Sequence, residues 1–435
     1  MRYYSTTNKN KRITFKEAVL KGIDYDGGLF MPEYIPEMGK EYFNQYKIHS
    51  FKNIAFSVLK NFINDEIPIA DFEDIVDNIF TFKSPLIKLD GNINILELFH
   101  GPTLAFKDFG ARFTAAVTEY FNKQENNKLF ILVATSGDTG SAVANGFFNK
   151  KGIDVVVLYP KGKISSLQEK QITTLGGNVK ALEIEGTFDD CQKLVKTAFN
   201  DNDLANRIRL SSANSINIAR LLPQMIYYFD AYFNLGDKSK KIVYTVPSGN
   251  LGNLTAGLLA KKMGLPVFNF IGAVNKNDVF ESYINSGKFI PKQSLQSYSN
   301  AMDVGNPSNI TRIFDLFNNN YDLIKSLIKS ISINDSEILD SIIEVYEKYK
   351  YKIDPHGAVG YWATKKLMKY FSEDTEFIIL ETAHPAKFFE TVESVIPEKI
   401  KMPDRLIKCM DKEKRTIQLS ADYIEFKDYL LNIEK

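Results

Sequence analysis

One lysine, Lys107, stands in a run whose neighbours are mostly apolar or small, ELFHGPTLAFKDFG (97–110). Desolvation by Leu104, Ala105, Phe106 and Phe109 disfavours its charged form and lowers its pKa, so a useful share is neutral amine near pH 7. Neutral amine is what forms a Schiff base with a carbonyl. The same residues also suit a lysine that snorkels to water or pairs with Asp108 at the start of a helix over 108–123.

Three further loops carry residues suited to ligands. In KIVYTVPSGNLGNLTAGLLAKKMG (241–264) a buried strand leads through Gly249, Asn250, Leu251, Gly252 and Asn253 into a helix. Gly249 and Gly252 let successive N–H groups face one concavity at the helix's positive end, which suits a phosphate. The loop lacks the ending of a P-loop and the spacing of a dinucleotide fingerprint, which favours a single phosphate over a nucleotide, or else a plain tight turn. In KLFILVATSGDTGSAVANGF (128–147), Thr135, Ser136, Gly137, Asp138 and Thr139 gather hydroxyls and free N–H groups at a helix start, where they could hold a carboxylate. Ser136 or Asp138 could equally be a helix cap. In EFIILETAHPAKF (376–388), Thr382 follows a buried strand as a ligand contact or a cap, while His384, like His356 in DPHGAVG, reads as a hydrogen-bonded structural histidine.

These loops need strands and helices to hold them. NINILEL, KLFILVA, IDVVVLY, NVKALEI, KIVYTV, VFNFIGA and EFIIL read as buried strands separated by amphipathic helices. That alternation predicts an α/β fold of two lobes, each a mainly parallel sheet flanked by helices. The polar NLGDKSKK divides a first lobe over 91–238 from a second over 239–435, whose charged tail after Pro403 packs outside or frays. Residues 1–90 read as a helical N-terminal domain, with a capping box at Thr14 and Glu17 and amphipathic helices over 51–63 and 69–80. Ligands of open α/β sheets sit at the carboxyl ends of strands, where all four loops fall.

Composition narrows the partners. In 435 residues, 54 Lys and Arg nearly cancel 53 Asp and Glu, and no basic stripe is interleaved with aromatics, so nucleic acid is not expected. Cys191 and Cys409 are far apart and lack metal-ligand spacing, so neither a disulfide framework nor a metal site is expected. The opening MRYYSTTNKNKRITF has no apolar signal-peptide core and no long apolar span follows, which predicts a cytoplasmic protein without a membrane partner. Monomer and homodimer both stay open.

A Schiff-base amine, a monophosphate cradle, a carboxylate-binding helix start and a hydroxyl at another strand end are the parts that would hold pyridoxal 5′-phosphate and an amino-acid substrate. With ELFHGPTLAFKDFG, ATSGDTG, YPKGKISSLQEKQ, SANSINIARLLPQ, VPSGNLGNLTAGLLAKKMGLP and TAHPAKF in this order, the chain resembles the threonine synthase family of fold-type II pyridoxal-phosphate enzymes, from GGLFMP to about residue 395. The resemblance implies a tryptophan-synthase-β-like fold, with Lys107 bearing the cofactor and Gly249, Asn250, Leu251, Gly252 and Asn253 cupping its phosphate. It also implies Thr382 at the pyridine nitrogen, and residues Thr135 to Thr139 at the substrate carboxylate near the cofactor's 3′-oxygen. The wider fold type usually has asparagine where Asp138 stands, and a carboxylate there should repel a phenolate-like oxygen unless one of them is protonated.

The implied reaction converts O-phospho-L-homoserine and water to L-threonine and phosphate, with Lys107 moving the protons. Arg112, Lys163, Asn214, Ser215, Asn217 and Arg220 are the candidate donors for the leaving phosphate. A lyase releasing 2-oxobutyrate from the same substrate, and a non-catalytic sensor of the same fold, are the rival readings.

Overall fold

The box at Thr14 forms as its spacing predicts: Thr14 Oγ1 accepts from Glu17 N at 3.1 Å and Thr14 N donates to Glu17 Oε2 at 2.8 Å, opening helix Phe15–Lys21. Helices Phe51–Ile63 and Ile69–Ile79 follow, each burying one apolar stripe: Ile54, Val58 and Phe62 on the first, Phe72, Val76 and Ile79 on the second. This N-terminal module is not wholly helical, since Tyr3–Ser5 pairs antiparallel with Phe30–Pro32. The computed structural model describes residues 1–44, 50–123, 125 and 127–433.

All seven apolar runs read as strands are strands, and they lie in two sheets. The larger has the order Ile328–Ser332, Asn269–Val274, Lys241–Pro247, Thr375–Glu381, Ile93–Glu97, Leu86–Asp90; its pairings are parallel except the last. The smaller has the order Ile417–Ser420, Val179–Glu185, Ile153–Pro160, Leu129–Ala134, Arg209–Ser212 and is parallel throughout. Central strands are buried on both faces, as in Ile153–Pro160, which is why they are continuous apolar runs. The strands outside that reading, Leu86–Asp90, Arg209–Ser212, Ile328–Ser332 and Ile417–Ser420, lie at sheet edges, where half-exposed positions break the run.

Strand pairing does not follow the contiguous blocks 91–238 and 239–435. Residues 86–97 belong to the sheet of the second block, and Ile417–Ser420 completes the sheet of the first. The tail after Pro403 thus neither frays nor merely packs outside. Beyond its edge strand, helix Tyr423–Asn432 is capped by Asp422 and buries Phe426 and Leu430 fully. No helix among the described residues is long and apolar enough to cross a membrane.

Phe426→Ala removes a fully buried ring and is expected to destabilise the chain by about 3–5 kcal/mol, read from the midpoint of a denaturant titration at unchanged slope.

Candidate active site

Lys107 is the first residue of helix Lys107–Asn122, held there by a tightly braced turn. Phe106 N donates to Thr382 O at 2.9 Å and His384 N to Leu104 O at 3.0 Å, so the turn is stitched to the end of strand Thr375–Glu381. Leu104 takes a positive φ of 61°, a conformation costly for a side chain with a Cβ and sustained here by those bonds. Asp108 does not serve as an ion-pair partner. Its carboxylate accepts from Thr103 N at 2.9 Å and Thr103 Oγ1 at 2.5 Å, closing the turn from inside.

Burial pulls the Lys107 ammonium from its usual 10.5 down to about 8; Asp138 opposes that pull, and Lys387 and Arg220 add to it. Lys107 Nζ lies 3.8 Å from Asp138 Oδ2. Asp138 Oδ1 accepts from Lys387 Nζ at 2.6 Å and from Gln168 Nε2 at 3.0 Å. Burial would raise this carboxyl, but Lys387, then Lys107, outweigh it and hold the group well below the usual carboxylate range. A second buried lysine thus balances the charge of Asp138, and it also donates to Thr103 O at 3.1 Å.

Asp138 opens helix Asp138–Phe147, whose cap departs from the expected one. Neither Ser136 nor Asp138 caps it; Thr135 Oγ1 accepts from Gly137 N at 2.9 Å and Gly140 N at 2.8 Å. Gly137, at φ 133°, is the junction, and a Cβ there would strike the Gln168 amide at 2.3 Å. Ser136 and Thr139 line the cavity beside Lys107.

Across that cavity, strand Lys241–Pro247 runs into the glycine loop. Leu251 is left-handed at φ 59° and delivers the chain into helix Gly252–Lys262. A Cβ on Gly249 would come within 2.7 Å of Met302 Cα. Asn250 Nδ2 donates to Ser215 Oγ at 2.6 Å, Asn250 Oδ1 accepts from Ser308 N at 2.5 Å, and Asn250 O accepts from Asn309 Nδ2 at 3.0 Å. Asn253 Oδ1 accepts from Tyr228 OH, while its buried Nδ2 has no partner among the described residues. A helix start with an unused buried amide donor fits a phosphate, and the amine of Lys107 on the same cavity fits the carbonyl of a phosphorylated aldehyde.

Of the candidate phosphate donors, the fold brings Asn214, Ser215 and Arg220 to the cavity. Arg220 is buried, its Nε has no partner, and burial draws its pKa to about 10. Three others are elsewhere. Arg112 donates to Asn78 O at 2.6 Å and Thr81 Oγ1 at 3.0 Å, tying its helix to the N-terminal module. Lys163 is exposed in the turn after Ile153–Pro160. Asn217 caps a short helix, with Nδ2 donating to Val19 O and Ser212 O. Thr382 reaches the cavity at a strand end. His384 is a cap, Nδ1 accepting from Ala386 N. His356 lines the cavity, its Nδ1 2.7 Å from Asp354 Oδ2 and its Nε2 accepting from Ala301 N, which fixes the Nδ1–H tautomer.

Lys387, Gln168 and His356 complete the site and were not among the predicted residues. For Lys387 the available signal was Asp138 itself: a carboxylate in an apolar helix start needs a cation, and TAHPAKF ends another strand with one.

Two mainly parallel sheets that converge on a buried lysine opposite a phosphate-sized helix start define a fold-type II pyridoxal-phosphate-dependent enzyme. Consistently, the family described as "Pyridoxal-phosphate dependent enzyme" matches residues 81–382, flanked by "Threonine synthase N terminus" over 2–80 and "Threonine synthase, C-terminal" over 357–430. The chain belongs to the threonine synthase family. It is 44% identical over 433 residues to threonine synthase of Haemophilus influenzae and 40% over 433 residues to that of Escherichia coli, covering 99% of this chain and 100% of each relative. The crystal structure of the Escherichia coli threonine synthase superposes with a TM-score of 0.93 at 40% identity, over 99% of this chain and 100% of that one. A pyridoxal-phosphate-bound threonine synthase from Brucella melitensis gives 0.90 at 34% identity, over 99% of both chains.

In cofactor-free protein the rate of pyridoxal phosphate capture is expected to rise with pH around a midpoint of about 8. Lys387→Met removes a cation that disfavours the Lys107 ammonium, so it moves that midpoint up by about one pH unit. Asp138→Asn added to Lys387→Met brings it back.

Proposed function

We propose that the chain converts O-phospho-L-homoserine and water to L-threonine and phosphate. Family membership supports this, and the observation that carries it is Lys107, a buried primary amine beside a carboxylate whose charge Lys387 already balances. When bound, pyridoxal phosphate supplies a ring that delocalises the electron pair left at the substrate α-carbon. Gly249, Asn250, Leu251, Gly252 and Asn253 would hold its phosphate and Lys107 its carbonyl carbon, with Thr382 the residue for its pyridine nitrogen. A threonine there brings no charge to keep that nitrogen protonated.

Ser136, Gly137 and Thr139 receive the substrate carboxylate, on a backbone that Thr135 braces. Lys107 Nζ removes the α-proton and then a β-proton, and returns one proton to the γ-carbon and one to the α-carbon. Asn214, Ser215 and Arg220 orient the phosphate as the γ carbon–oxygen bond breaks. Over the cycle the β-carbon exchanges a proton for hydroxyl from water, the γ-carbon gains a proton, and the remaining proton leaves with phosphate. A cytoplasmic location belongs to the proposal, supported by two free cysteines.

Incubated with O-phosphohomoserine, the purified protein should release threonine and phosphate in equal amounts; 2-oxobutyrate and ammonia without threonine would overturn the assignment. Lys107→Ala is expected to lower kcat by at least about 10³-fold and to abolish the visible absorbance of the bound cofactor.

A further inference from the structure

The glycine loop itself contains no cation, although a phosphate monoester carries close to two negative charges at neutral pH. Hydrogen bonds lead from that loop to Arg312, on helix Ile310–Leu316. Its side chain is 0% exposed, and every bond it makes goes to a neutral oxygen. Nε and Nη2 donate to Phe30 O at 3.3 and 3.1 Å, Nη2 to Ile216 O at 2.6 Å, and Nη1 to Ser215 O at 3.0 Å and Asn309 Oδ1 at 2.7 Å. No carboxylate among the described residues pairs with it. Burial alone draws its pKa to about 9, so the guanidinium stays charged at neutral pH.

An uncompensated buried cation is costly, and its place needs an anion. The two acceptors of Arg312 Nη1 lead directly to the loop: Asn309 Nδ2 donates to Asn250 O, and the Ser215 hydroxyl accepts from Asn250 Nδ2. A Cβ on Gly252, at the first turn of the following helix, would touch both Asn309 and Ser215 at 3.5 Å. Phe30 O ties the same guanidinium to the N-terminal module.

We propose that Arg312 is the positive charge for the cofactor's phosphate, a positioning residue that acts through Asn309 and Ser215 on the loop Gly249–Asn253. This rests on that loop being the phosphate cup. The full-length protein, stripped of cofactor, is titrated with pyridoxal phosphate and with pyridoxal, and each Kd is read from the visible absorbance of the lysine-bound form. Arg312→Met is expected to weaken pyridoxal phosphate about tenfold and pyridoxal less than about twofold, while Arg312→Lys, which keeps the charge, stays within about threefold of wild type. Asn309→Asp leaves Arg312 its acceptor and sets a carboxylate beside it, and should cut the preference for the phosphorylated ligand even if Arg312→Met does not fold. Equal losses for both ligands in Arg312→Met, an Arg312→Lys variant as weak as Arg312→Met, or an Asn309→Asp variant with wild-type preference would each overturn the proposal. A wild-type protein that binds the two ligands equally would remove the loop's assignment as well, whatever the reaction product.

Discussion

The Lys387 ammonium and the Asp138 carboxylate, 2.6 Å apart and shut off from water, set the electrical terms on which Lys107 works. A buried ion pair repays its desolvation only when both partners are otherwise satisfied. Here they are: Gln168 adds a donor to Asp138, and Thr103 O adds an acceptor for Lys387. An uncompensated Asp138 would hold Lys107 as a cation. Paired, it opposes burial only in part, and burial draws the Lys107 ammonium down to about 8.

The pair also joins the two halves of the molecule. Asp138 follows Leu129–Ala134 in the five-stranded sheet, and Lys387 follows Thr375–Glu381 in the six-stranded one. A second polar link, Asn300 Nδ2 donating to Gln168 Oε1 at 3.2 Å, crosses at the same place. The site therefore exists only while the sheets are docked, and the chemistry of Lys107 is coupled to how they sit together.

Much of this was readable from residue types because parallel sheets buried on both faces write themselves as apolar runs, and the loops at their carboxyl ends hold the chemistry. Lys107, the glycine loop, Thr382, Asn214, Ser215 and Arg220 share a cavity on that account. Arg112 and Asn217 lie away from that cavity because a donor's direction is not written in its spacing: Arg112 turns to Asn78 and Thr81, and Asn217 to the carbonyls of Val19 and Ser212. Arg312 gave no signal at all. Apart from Asn309 Oδ1, its acceptors are backbone carbonyls from two distant segments, Phe30 and Ser215–Ile216, and a carbonyl is the same at every residue. The edge strands escaped for a related reason, since pairing by backbone alone asks little of the side chains.

Strand Ile417–Ser420 lies against Val179–Glu185 across some 230 residues of chain. On a ribosome that order of synthesis has a cost in time. The sheet's inner strands emerge first, and the outer edge of Val179–Glu185 stays unpaired until Ile417–Ser420 has been made. A row of free backbone groups is a template for any other extended chain, so the nascent protein is exposed to mispairing over that interval. Strand Ile417–Ser420 thus serves as a seam as much as a structural element, since it leaves an edge of four residues in place of one of seven.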